Sequence, residues 1–349
     1  MKDILRQLRS GPLIDSLIAV LLAAAVLSIV VAAIGHNPIT VLSLFICGGV
    51  GDLESIYGTL MSSMPLIFSG LSLALAFRAG LFNIGGEGQL FVGGFAAALA
   101  GHYLNLGSMT VVLMMAVAAA AGFAWAMVPI AIRLYRGAHE VIGCIMMNYI
   151  AINLCLWLVR GPFRAEASTE KTPPIQPGGW WPTLDTVGAT DFNAAFFISL
   201  IIAVLVYWML FRLPFGFELR AAGANPGAAA ASGINVRSTL ILTFGLSGAL
   251  AGLGGAAEVS GVFGSFYSQF SPGYGFDGIT VALLGRNHPV GVVAAALLFG
   301  MMRNASKLLQ FEAEISADII FLFQGIVIIA LLAARPIRRA VAARLAGRA

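Results

Sequence analysis

The side chains able to do chemistry are few, and most lie inside apolar stretches. Residues 78–89 read RAGLFNIGGEGQ, which sets Asn83, Glu87 and Gln89 among glycines at 80, 85, 86 and 88. Such glycines let backbone unwind or approach closely, and the polar side chains supply donors and acceptors where a helix begins. The functional reading is a broken helix lining a solute path; the alternative is a cytoplasmic turn whose Glu87 caps the next helix. Asn148 follows Glu140 by two helical turns, so the two share a broad face. Asn148 then faces a cavity or hydrogen-bonds to a neighbouring helix, while His139 and Glu140 read as interface groups capping their own helix. Phe276 and Asp277 open a short helix after the Gly/Pro-rich residues 271–275, beside Phe263, Phe266, Tyr267, Phe270 and Tyr274. Aromatic rings with a few polar groups suit a flat ring or a sugar face, and equally an outer interfacial belt. Glu258 reads as a snorkelling or capping acid at the outer end of a span. The candidate substrate path is therefore Asn83, Glu87, Gln89, Asn148, Phe276 and Asp277.

The chemistry these groups support is reversible binding. No GxxxxGK[ST], HExxH or GxSxG occurs, and the four histidines, at 36, 102, 139 and 288, are scattered. Neither a catalytic residue nor a metal ligand is assigned. Cys47, Cys144 and Cys155 form no CxxC and read as small core fillers.

The elements that must position these groups are membrane spans. Of 349 residues, 59% are hydrophobic and 10% charged, against about 25% charge in soluble domains. Mean hydropathy is +0.91. The net charge of +4 reflects Lys and Arg at membrane flanks and is not a nucleic-acid signature. The chain is read as an all-α polytopic membrane protein of about ten transmembrane helices, a single permease domain over 1–349. Spans are placed near 13–34, 56–77, 88–104, 109–132, 141–159, 194–211, 239–258, 276–285, 289–303 and 318–334. The first is long enough to span, lacks a clear A-x-A site and is read as a span, not a cleaved signal. The eighth and ninth are short and meet at Arg286-Asn287-His288-Pro289, as a tilted or partly re-entrant pair. With both termini cytoplasmic, fifteen Lys and Arg fall inside and five outside. The outer loops are acidic, and the largest, 161–193, carries Trp180-Trp181 as interface anchors. Five spans per half is compatible with an inverted repeat. Gly248 and Gly252 make a GxxxG packing face.

One cytoplasmic stretch stands apart. Residues 212–237 hold Arg212, Arg220 and Arg237 against Glu218. Glu218 to Ala222 suits a helix; Asn225 suits an N-cap and Pro226 the first turn of a second, short helix that Gly233 breaks. Helix, tight turn, short helix and break make a knob that another protein can grip.

Four blocks then resemble a known family. They are FRAGLFNIGGEGQLFVGG (77–94), HEVIGCIMMNYIA (139–151), GANPGAAAASGINV (223–236) and GFDGITVALLGRNHPVGVVAAALLFG (275–300). Together they resemble permease subunits of bacterial ABC importers, in the ribose and branched-chain amino-acid permease superfamily, nearest its nucleoside/simple-sugar branch. The first block has Gly-Glu-Gly-Gln where ribose-type permeases carry Asp-Leu-Ser. The resemblance implies a type II-like importer in the bacterial inner (plasma) membrane. It implies a separate ABC ATPase subunit, a second permease subunit of a different kind, and a periplasmic or lipoprotein solute-binding protein. It implies ATP and magnesium in the ATPase and no cofactor in this chain, which is then no enzyme. It carries ATPase coupling onto Arg220, Gly223, Asn225, Pro226 and Gly233. The implied function is alternating-access translocation of a nucleoside or related simple sugar. The alternative is an ATP-independent secondary transporter of a small polar solute, recruiting Glu87 and Asp277 to an ion or proton relay.

Overall fold

The computed structural model describes residues 12–165 and 170–313, with 322, 325, 326, 329, 330 and 333. Apart from those few positions, the span expected at 318–334 lies outside the described residues. So do Glu166, Glu314 and the terminal cations at 2–9 and 335–348. The helices are α1 (Pro12–Ala33), α2 (Pro38–Val50), α3 (Leu53–Arg78), α4 (Gly86–Tyr103), α5 (Met109–Arg136) and α6 (Glu140–Arg160). There follow α7 (Ala195–Arg212), α8 (Pro214–Ala224), α9 (Pro226–Ala231), α10 (Val236–Glu258), α11 (Tyr274–Leu284) and α12 (Pro289–Glu312). Among the described residues six helices are long and apolar enough to cross a membrane: α3, α5, α6, α7, α10 with the π-turn that follows it, and α12. The chain is a multi-pass, mainly helical membrane protein.

Three features depart from the sequence expectation. The first is α2, where no span was assigned. Its 13 residues are too short to cross a bilayer core of about 30 Å. Its start signals are nevertheless complete: Pro38 sits in the first turn and the Asn37 side chain accepts from Ile39 N at 2.9 Å. The second is α12, expected to end at 303. It runs on through Arg303 and Lys307 to Glu312, because Asn304 in that extension donates to the Gly48 and Ser55 carbonyls at 2.9 and 3.0 Å. The third is a two-stranded antiparallel hairpin in the loop between α6 and α7, β1 (Thr183–Val187) and β2 (Thr190–Asn193), turning at Gly188 with φ of 59°. β-Branched Thr and Val with a glycine in left-handed backbone supply that turn.

The chain divides into two units, residues 1–59 with 301–349, and residues 60–300. In the first, Val31 of α1, Val41 of α2 and Leu309 of α12 form a buried cluster, and Gly48 packs on Ala305 and Leu308.

The second unit carries the candidate site. Its centre is α10, packed against α4 on one side and α5 on the other. Small residues permit the approach. A Cβ on Gly252 would overlap the Ala118 carbonyl of α5, and one on Gly93 of α4 would overlap Gly252 itself. Gly248 and Gly122 face each other the same way, so the expected GxxxG face forms the α10–α5 contact. The loop between α6 and α7 folds over the π-turn after α10: Trp181 N donates to the Ser260 carbonyl at 3.1 Å, and Asn193 Nδ2 to that of Gly261 at 2.6 Å. Glu258, at the end of α10, is only 2% exposed and does not snorkel. Trp180 rests against Gly264. Outside the membrane, Glu170 takes both Arg160 donors, at 2.9 and 3.1 Å, which holds its carboxyl below the usual range.

Candidate functional site

The site is built on the connector between α3 and α4, residues 79–85. Gly80 turns the chain with φ of 71°, after which the connector leads inward to α4, whose first residue, Gly86, packs on Gly275 and Leu73. Asn83 is fully buried and saturated. Its Nδ2 donates to Gln89 Oε1 at 2.9 Å and Ser247 Oγ at 2.8 Å. Its Oδ1 accepts from Gln89 Nε2 at 3.0 Å and Gly85 N at 3.2 Å. Asn148 completes the group, accepting from Gly88 N and donating to the Ile84 carbonyl, both at 2.9 Å. Glu87, 2% exposed in the first turn of α4, accepts from Gly275 N at 2.6 Å. A carboxylate there meets the first turn of two helices, its own and α11, and both macrodipoles favour it.

Four of the six expected path residues are buried along one segment: Asn83 and Gln89 bond to each other, Asn148 bonds to the Ile84 and Gly88 backbone, and Glu87 bonds to Gly275 N. These bonds hold the connector, α4, α6, α10 and the start of α11 together. The fifth and sixth, Phe276 and Asp277, sit beside Glu87's partner Gly275; Phe276 is 46% exposed and Asp277 half-buried. The aromatic cluster is neither an open ring site nor a belt throughout: Phe266 and Phe270 are buried, stacked 4.6 Å apart, and edge-on to Phe91 of α4. Glu140, expected at the interface, is 4% exposed; it binds Arg133 and accepts from Phe82 N at 3.1 Å, pinning the connector to α5 and α6. His139 does cap α6, accepting from Val141 N.

Ser72 and Ser247 were missed. They bond reciprocally: Ser72 Oγ donates to the Ser247 carbonyl at 2.6 Å, and Ser247 Oγ to that of Ser72 at 2.7 Å. A signal existed: GLSLALA at 70–76 matches GLSGALA at 245–251 in six of seven positions, with both serines third.

Between α7 and α10, the segment α8, Asn225 and α9 forms the expected helix, turn and short helix. Asn225 caps α9, accepting from Ala228 N at 3.1 Å, and Gly233 ends it with φ of 86°. The five coupling candidates face two ways. Asn225, Pro226 and Gly233 are exposed. Gly223 instead meets the backbone of Arg78 and Ala79, and Arg220 stacks on the Phe211 ring at 5.3 Å. His288 lies 5.3 Å from the same ring. Burial first, and then the Arg78 charge, lower its pKa, so the imidazole is neutral near pH 7.

Comparison with known proteins agrees with this architecture. Residues 55–332 match the family described as "Branched-chain amino acid transport system / permease component". The chain belongs to this family. It is 34% identical to the guanosine ABC transporter permease NupP of Bacillus subtilis, covering 95% of this chain and 96% of that one. It is 31% identical to the glucose ABC transporter permease TsgB13 of Haloferax volcanii, over 92% and 87% of the two chains. It is 30% identical to the guanosine ABC transporter permease NupQ of Bacillus subtilis, over 71% and 80%. No solved structure matches.

Proposed function

We propose that this permease carries a nucleoside into a bacterial cell, as one membrane subunit of an importer worked by a separate ABC ATPase. The observation that supports the solute most directly is similarity along nearly the full length of a permease named for guanosine. A simple sugar is the second reading, favoured by the relative named for glucose. Two guanosine-named permeases from one organism, both similar to this chain, support a heterodimer of permeases. Solute arrives from an outside binding protein, periplasmic or lipid-anchored. ATP and magnesium act in the ATPase, and this chain only binds and releases.

The fuller architecture of the proposal is type II-like, with about ten spans and cytoplasmic termini. Its two halves are an inverted repeat about an axis between Ser72 and Ser247. The reciprocal serine bonds and the matching heptapeptides support that axis. The ATPase grips the exposed residues around α9, 224–228 and 230–233. Driven movement of α8 and α9 opens the buried network to one side of the membrane and then the other. Asn83, Glu87, Gln89, Asn148, Phe276 and Asp277 then exchange their mutual bonds for bonds to solute.

The test is competition in cells carrying the complete importer. Excess unlabelled nucleosides are expected to suppress uptake of labelled guanosine, while glucose at the same concentration leaves it unchanged. Suppression by glucose alone would replace the nucleoside by a sugar and leave the permease assignment standing.

A further inference from the structure

We propose that Arg78 is the positioning residue that transmits movement of α8 to α11. The inference rests on the reading above that an ATPase moves α8.

Arg78 ends α3 and touches both sides of the transmission. On the α8 side, its guanidinium lies 5.1 Å from the Phe211 ring centroid, and Arg220 of α8 stacks on the same ring. Gly223, in the last turn of α8, seats directly on the Arg78 and Ala79 backbone; even a methyl group would not fit between them. The coupling helix is therefore keyed to Arg78 by a ring platform and by backbone contact. On the α11 side, Arg78 Nε donates to the Asn287 carbonyl, just past the end of α11.

The opposite end of α11 is held by Glu87 through Gly275 N. Arg78 and Glu87 flank one connector, so a single segment grips both ends of an 11-residue helix about 16 Å long. Displacing the connector must carry α11 with it or break one of the two grips.

The same place is poised for rearrangement. Arg286 and Asn287 hold left-handed backbone, φ 56° and 55°, which is costly for residues with a Cβ. Arg220 Nη1 and Asn287 Oδ1 are buried without a hydrogen-bond partner among the described residues. A donor and an acceptor left unmade on either side of Arg78 are what a second arrangement, reached when α8 moves, would satisfy.

The experiment is Arg78→Gln in the full importer, reconstituted with its ATPase and binding protein. ATP hydrolysis and guanosine uptake are read on the same proteoliposomes. The expected result is retained complex and retained hydrolysis, with uptake per ATP reduced about tenfold, a loss typical of a broken coupling. Phe211→Leu, which keeps the apolar volume and removes the platform, is expected to show the same uncoupling. An unchanged uptake-to-hydrolysis ratio in both variants would overturn the proposal. So would parallel loss of hydrolysis and uptake in both, since Arg78 would then serve assembly and not transmission. A wild-type importer without ATP-driven uptake would instead overturn the reading beneath it.

Discussion

Gly252→Leu is expected to abolish the folded permease. Gly252 sits where three helices meet, with the Ala118 carbonyl on one side and Gly93 on the other. Both neighbours are backbone, so no side chain can turn aside. Overpacking a core that can relax costs about 1–3 kcal/mol, and here two helix axes must separate, so a cost above about 4 kcal/mol is expected. The measurement is recovery of monodisperse protein from mild detergent, with Gly227→Ala alongside. Gly227 lies in the exposed turn and its Cβ would make ordinary contact with Asn225. That control is expected to stay within about 0.5 kcal/mol of wild type. Equal recovery of the two variants would mean the three-helix crossing is not the centre of the fold.

Asn83→Ala is expected to have the second-largest effect. The change removes one side chain and strands both ends of another, Gln89 Oε1 and Nε2, while Ser247 keeps its bonds to Ser72. Leaving a buried polar group unpaired costs about 1–3 kcal/mol, so two give about 2–6 kcal/mol. The measurement is thermal unfolding in detergent. Gln89→Ala in the Asn83→Ala background should add little, because those two side chains spend much of their capacity on each other. Additive losses would show that the two residues do not form a unit.

Much of this architecture was readable before any coordinates, for local reasons. Asn225-Pro226 and Gly233 announce the turn before α9 and its break, because cap, first-turn proline and left-handed glycine are set by a few adjacent residues. Polar residues among glycines at 78–89 marked the connector, because such groups inside a membrane need protein partners. Which partners they take was not readable. Asn83 meets Ser247 across 164 residues and Glu87 meets Gly275 across 188, and periodicity carries no such pairing. The burial of Glu258 was not readable either, since an acid at the end of an apolar run carries no local mark of being covered. The short α2 escaped because a length rule for spans overlooks a helix that stops partway. The Phe211 platform left no mark at all: an aromatic at the end of an apolar run reads as lipid contact until Arg78, Arg220 and His288 are seen around it.

In the proposed importer this chain is a passive gate and the ATPase supplies the work. The direct measurement is guanosine accumulation in proteoliposomes holding the complete importer, with ATP hydrolysis first allowed and then blocked by vanadate. Accumulation against a gradient that stops when hydrolysis stops is the result predicted. Accumulation that continues under vanadate, sustained by a proton or sodium gradient across permease subunits alone, would contradict it.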